Sequence, residues 1–195
     1  MSEDGLGVTA VEERPMRADA RRNYDLLVAA ARKVFTERGG DASMEAIAKE
    51  AGVGVGTLYR HFPKRIDVVE AVYRTDVDVL MQAADDVVAN LEPWPAMVAW
   101  LHAFVRYADG KRTFMTELHE AFDKHPELRV ESRERIDGAM AKVLEHAHQS
   151  GEVRTDVGSA ELMQLLYGIC SSPVATVGSS ERLLPLIIDG LRQPS

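Results

Sequence analysis

The sequence predicts an all-α protein: a three-helix head carrying a helix-turn-helix, then a larger helical body, about nine helices together. Three observations lead there. Apolar residues recur at spacings of three and four in one segment after another, the period that gathers them on one face of a helix. Glycine and proline stand between those segments, at Gly39-Gly40, Gly52, Pro63 and the run Leu91-Glu92-Pro93-Trp94-Pro95, where one helix ends and another begins. Charge divides the chain too. The net charge is −8 over 195 residues, but residues 1–66 hold 11 Lys+Arg against 10 Asp+Glu, a balance of +1, which leaves residues 67–195 at −9. From Arg14 to Ile66 the count is 11 basic and 6 acidic, a local balance of +5. A basic tip on an acidic body meets a phosphate backbone in one orientation and disfavours the reverse.

Residues 1–18 are rich in charge, Gly and Pro without lasting periodicity and read as a disordered arm; 19–65 form the head and 66–195 the body. Arg14, Arg17, Arg21 and Arg22 cluster where arm meets helix. There they either follow phosphates and a minor groove or stay on a solvated tail. The first helix, about Ala20 to Arg38, carries Leu27, Ala30, Ala31, Val34 and Phe35 as a stripe and ends at Gly39-Gly40; Arg22 and Tyr24 at its start can add phosphate contacts. Ser43 caps a short second helix with Met44, Ile47, Ala48 and Ala51 on one face. Gly52 permits a sharp turn, Gly54 starts a third helix from Val55 to Phe62, and Pro63 stops it. Leu58 and Phe62, four apart, pack back on the second helix and turn Gly56, Thr57, Tyr59, Arg60 and His61 outward. That outer face suits a major groove. Gly56 admits close backbone approach, Thr57 and Tyr59 offer hydrogen bonds to phosphate or base edges, and His61 and Lys64 meet phosphates. The same shape also occurs in proteins that never touch nucleic acid. The string Gly52-Val53-Gly54-Val55-Gly56 also suggests a phosphate loop, but no β-branched strand precedes it, and that loop requires one.

From Ser43 to Lys64 the run SMEAIAKEAGVGVGTLYRHFPK resembles the DNA-binding signature of the TetR family of bacterial transcriptional regulators. The capped helix, the turn Ala51-Gly52-Val53 and the run from Gly56 to Lys64 carry the resemblance. Gly54 departs from it, standing where the family has a capping serine or threonine. Glycine is an acceptable cap and costs only a few tenths of a kcal/mol, although it has no hydroxyl to offer a phosphate. The resemblance, with the outward face, implies a DNA-binding set of Arg22, Ser43, Gly54, Val55, Gly56, Thr57, Tyr59, Arg60, His61 and Lys64. It implies a homodimeric, ligand-responsive regulator, a repressor, on a near-palindromic double-stranded operator, with recognition helices about 34–36 Å apart or a multiple of that.

The body opens with a long helix from Lys64 to about Asn90, Ile66, Val69, Tyr73, Val77, Leu80, Met81, Ala84 and Val87 inside, and Asp76, Asp78, Asp85 and Asp86 read as its solvated face. Unbroken by Gly or Pro, it would act as a mechanical connector. A helix from about Pro95 to Asp109 is apolar on most of its circumference and therefore buried. Further helices are expected from about Lys111 to Asp123 and from about Pro126 to Ser150. Aromatic and methionine side chains concentrate here with a few polar groups. Trp100, Phe104, Tyr107, Met115, His119, Phe122, Met140 and Tyr167 are therefore candidates to line a pocket for a small apolar ligand, with plain core filling as the alternative.

The last two helices, about Ser159 to Ser171 and about Ser180 to Arg192, expose more apolar surface than a monomer covers, above all Leu183-Leu184-Pro185-Leu186-Ile187-Ile188. In the family the corresponding helices pair with their copies in a four-helix dimer interface; completing the monomer core is the alternative. No enzyme, metal or cofactor chemistry is expected. His119-Glu120 and His125 are too far apart to share a helix face, His146 and His148 diverge, and no Ser-His-Asp or Cys-His grouping has local support. The single cysteine, Cys170, excludes an intramolecular disulfide framework; it reads as a buried small hydrophobe, or a redox or ligand contact. With no long apolar run and no signal-like start, the chain is expected to be cytoplasmic and away from membranes.

Overall fold

The structure, a computed structural model, describes residues 13–172, 176 and 178–193, with side chains from residue 19 onward. Among these residues there are nine α-helices, two short 3-10 turns and no strand, so the all-α expectation holds. Two compact units part between Val68 and Val69.

The first unit contains α1 (Glu13–Arg38), α2 (Met44–Glu50), α3 (Val55–His61) and the opening turn of α4 (Arg65–Asn90). Helix α1 begins at Glu13 rather than near Ala20, which corrects the expected arm. Pro15 lies in its first turn, where a missing N–H costs no hydrogen bond. Residues 1–12 of that arm, and the side chains of Arg14 and Arg17, lie outside the described residues. Leu27, Ala31, Val34 and Phe35 of α1, Met44, Ile47 and Ala48 of α2, and Leu58 and Phe62 around α3 are all buried in one small core. The Ser43 hydroxyl caps α2 by accepting the Ala46 N–H at 3.1 Å. Helix α2 then ends in a Schellman turn: Val53 N–H reaches the Ala48 carbonyl at 3.0 Å and Gly52 N–H that of Lys49 at 3.2 Å, with Gly52 at φ 69°. Arg65 fastens the next corner. Its guanidinium donates to the Ala42 and Gly40 carbonyls and lies over the Phe35 ring, 5.1 Å from its centre.

The second unit is built on α5 (Pro93–Lys111), whose buried residues, from Ala96 and Met97 through Trp100, Leu101 and Phe104 to Ala108, run round its circumference. Helices α7 (Pro126–His148), α8 (Ser159–Ser171) and α9 (Ser179–Gly190) pack on it. A 3-10 turn, Arg112–Phe114, leads directly into α6 (Met115–Lys124); Gly110 stays helical, so no gap opens before Lys111. The acidic face expected on α4 proves mixed. Asp78 pairs with Arg135 at 2.7 Å and Asp85 with Lys142 at 2.8 Å on α7, but Asp76 is only 4 % exposed. Its position between Tyr73 and Leu80, both buried, puts it on the inward face.

Candidate functional site

Leu58 is fully buried, and its burial turns the opposite side of α3 outward. Val55 is 39 % exposed and Tyr59 44 %, with Gly56, Arg60 and Lys64 also exposed; Thr57 and His61 are half-buried. Gly54 caps α3 in extended backbone without a side-chain bond, and its carbonyl accepts the Thr57 N–H at 2.8 Å. A Cβ added at Gly54 or at Gly56 would meet nothing within 4 Å. Neither glycine is needed for packing inside the unit.

The remaining polar groups of this surface are held by their elements. Ser43 uses its oxygen as the cap acceptor, so its hydroxyl hydrogen remains to be donated. The Lys64 backbone N–H donates to Asp67 Oδ2 at 2.8 Å, which fixes the start of α4 and leaves the ammonium exposed. Arg22 is exposed on α1. Tyr24 is less free than its sequence position implied: its ring packs 5.1 Å from Phe62 and 6.3 Å from His61, bracing the C-terminal end of α3. Of the predicted set, Arg22, Ser43, Gly54, Val55, Gly56, Tyr59, Arg60 and Lys64 are exposed, while Thr57 and His61 are half-buried, His61 against Tyr24. Arg65 and Tyr24 are the positioning residues that sequence reasoning missed or misread.

In the second unit two adjoining chambers, of about 330 and 260 Å³, share Lys111, Met115, His119, Tyr167 and Ser171 in their walls. Phe104 adds to the first and Tyr107 and Phe122 to the second, so six of the eight candidate ligand residues line them. Trp100 and Met140 line neither. Both are fully buried, and the Trp100 indole N–H points at the Leu80 carbonyl 3.4 Å away, so they serve the core. Phe104 meets Tyr167 edge-on at 5.6 Å, and Tyr73 meets Phe122 at 5.2 Å. A wider groove of about 670 Å³, along α6 and α7, shares Phe122, Arg129 and Arg133 with the inner chamber.

Sequence reasoning missed Tyr73, Lys111, Arg129 and Arg133. Lys111 in the last turn of a helix looks like an ordinary surface cation, and Arg129 and Arg133 are a common i, i+4 pair. Lys111 Nζ instead lies 4.1 Å from the centre of the Tyr107 ring and 5.8 Å from that of Tyr73. Burial pulls its pKa down to about 8. Burial likewise pushes the Tyr107 and Tyr167 hydroxyls above the ordinary phenol range and raises the Cys170 thiol, so all three remain protonated at neutral pH. No group of three His, Cys, Asp or Glu among the described residues is placed to hold a metal ion, and no described helix is long and apolar enough to cross a membrane.

A helix-turn-helix with a polar, partly cationic outer face in one unit, and a helix-lined cavity in the other, define a helix-turn-helix transcriptional regulator. Residues 27–72 match the family model of bacterial regulatory proteins, tetR family, and residues 92–193 match that of the transcriptional regulator SbtR-like C-terminal domain. A TetR transcriptional regulator of Streptomyces coelicolor is 37% identical, with a TM-score of 0.77 over 88% of this chain and 99% of that chain. A TetR regulatory protein of Mycobacterium vanbaalenii is 31% identical, with a TM-score of 0.71 over 92% of this chain and 100% of that one. The HTH-type transcriptional regulator UidR of Escherichia coli is 25% identical over 162 residues, 79% of this chain and 83% of UidR. The chain belongs to the TetR family: it is a DNA-binding transcriptional regulator and not an enzyme.

Proposed function

We propose that this regulator is a cytoplasmic homodimeric repressor that holds a palindromic operator and leaves it when a small molecule occupies the chambers of the second unit. The observation that carries this reading is the pair of chambers itself, ringed by Phe104, Tyr107, Phe122 and Tyr167, in a unit separate from the helix-turn-helix. Tyr59, Arg60 and Lys64, with Thr57 and Gly56, form the groove-facing set, and Arg22 and Ser43 donate to flanking phosphates. Dimerisation through α8 and α9 is supported by Leu165, Leu183 and Leu186, which are 53 %, 42 % and 69 % exposed. Leucines this bare on two neighbouring helices favour a covered face.

Release requires the ligand to bind the conformation that lets go of DNA more tightly than the one that holds it; each tenfold preference supplies about 1.4 kcal/mol. Helix α4 opens in the first unit and continues without a break into the second, so it is the covalent route for that preference. The test is selection of bound sequences from a random duplex pool with the purified protein, followed by measurement of chains per duplex. A palindrome bound by two chains is the expected result. Absence of any preferred sequence at low salt, or one chain per site, would refute the reading.

A further inference from the structure

We propose that the chambers of the second unit take a small organic carboxylate, its charge held by the Lys111 ammonium and its apolar body set among the rings of Tyr73, Tyr107 and Tyr167. The inference rests on the effector role proposed above and names the ligand class for that site.

The argument begins with charge. Residues 67–195 carry a balance of −9, yet no residue lining either chamber is acidic, while Lys111, Arg112, Arg129 and Arg133 all bring positive charge to the walls and His119 can. Arg112 is engaged within the fold, by Asp109 at 3.0 Å and the Cys170 carbonyl, and Arg133 by Asp137 at 3.6 Å. Lys111 differs. Its ammonium makes no hydrogen bond or ion pair with a described residue and rests on the faces of Tyr107 and Tyr73. Cys170 and Asp76 favour the protonated lysine, but less than burial opposes it. A half-buried cation with no hydrogen-bonded or ion-paired partner is costly unless something else supplies the negative charge.

Geometry points to the same ligand. The Tyr107 hydroxyl is buried beside Tyr73 and makes no hydrogen bond of ordinary geometry, so a donor stands ready next to the ammonium. Arg129 and Arg133 stand where the second chamber meets the wider groove, which Asp123, Glu134 and Asp137 also line, and Arg133 is held 4.4 Å above the Tyr167 ring. Rings around a fixed cation suit an acid with a flat or short apolar body. This narrows the small apolar ligand expected from the aromatic and methionine content to one that also carries a carboxylate.

The probes are benzoate, phenylacetate, 3-phenylpropionate and octanoate, each with its neutral primary amide, titrated calorimetrically into the full-length protein and into Lys111→Met and Lys111→Arg. At least one acid should bind tenfold or more tighter than its amide. Lys111→Met should remove that preference without weakening the amide more than twofold, and Lys111→Arg should retain it. Equal binding of acids and amides, an acid preference that survives Lys111→Met, or no acid binding up to millimolar concentration would each overturn the proposal. The same compounds are added to the protein on its selected duplex. Acids that bind with the stated preference but leave the duplex bound refute the effector role alone; neutral amides that bind as well and release it refute the carboxylate alone.

Discussion

Replacing Lys111 by methionine should stabilise the protein while removing its means of holding an anion. Lys111 titrates at 10.5 when exposed and at about 8 in the fold, because burial penalises the charged form. The unfolded chain therefore binds this proton more tightly, so below pH 8 the full penalty falls on the folded state, and stability returns as pH rises from 8 to 10.5. At 1.36 kcal/mol per pH unit, that interval sets a ceiling of ~3 kcal/mol. The Tyr107 and Tyr73 ring faces offset ~0.5–2 kcal/mol of it. Methionine fills similar space without charge, so Lys111→Met should gain ~1–3 kcal/mol at neutral pH. Urea unfolding of both proteins between about pH 6 and 10 reads this directly. The groups facing Lys111 are Tyr73 and Asp76 from α4, Tyr107 from α5, His119 from α6, Arg133 from α7, and Tyr167 and Cys170 from α8; all are common to both proteins, so the difference between them isolates the lysine. A variant no more stable at pH 7, or a gain that does not shrink toward pH 10, would refute the reasoning.

Lys64→Ala should weaken binding to all duplexes alike and reduce the slope of log affinity against log salt by about 1, whereas Thr57→Ala should change the preferred sequence; band shifts across a salt series separate them. Gly56→Ala meets no atom within 4 Å inside the protein and should stabilise the first unit by ~0.5 kcal/mol, yet weaken duplex binding because the added methyl stands where the backbone approaches DNA. Equal duplex affinity would show that α3 does not approach so closely. Leu186→Glu, at a side chain 69 % exposed, should leave thermal stability at low concentration within ~0.5 kcal/mol and convert the proposed dimer to a monomer in sedimentation. A variant that stays dimeric would move the interface away from α9.

The helix-turn-helix is legible in sequence because every rule that builds it is local. Ser43 caps within three residues, Gly52 turns in place, and the spacing of Leu58 and Phe62 decides which side of α3 looks out. Helix α5 is legible for a related reason: a helix apolar all round has to lie inside, whatever surrounds it. The start of α1 escapes because Pro15 signals a break, although proline is harmless in a first turn. Asp76 reads as surface because Asp78 and Asp85 on the same helix are; two helix positions separate a residue that pairs across solvent from one that is buried. Trp100 and Met140 read as lining because size and softness suit a pocket and a core equally well.

The sequence by itself therefore determined most of the helices and the helix-turn-helix, since these depend on groups within a turn or two of each other. Tertiary structure alone decided which side chains from different helices share a space. Lys111, Tyr73, Arg129 and Tyr167 lie on four helices and have no common period, so only packing brings a lone ammonium, an arginine and two rings to one cavity. The proposed preference for charge arises there, because an ammonium that is ordinary in water gains from an anion once the fold strips part of its water.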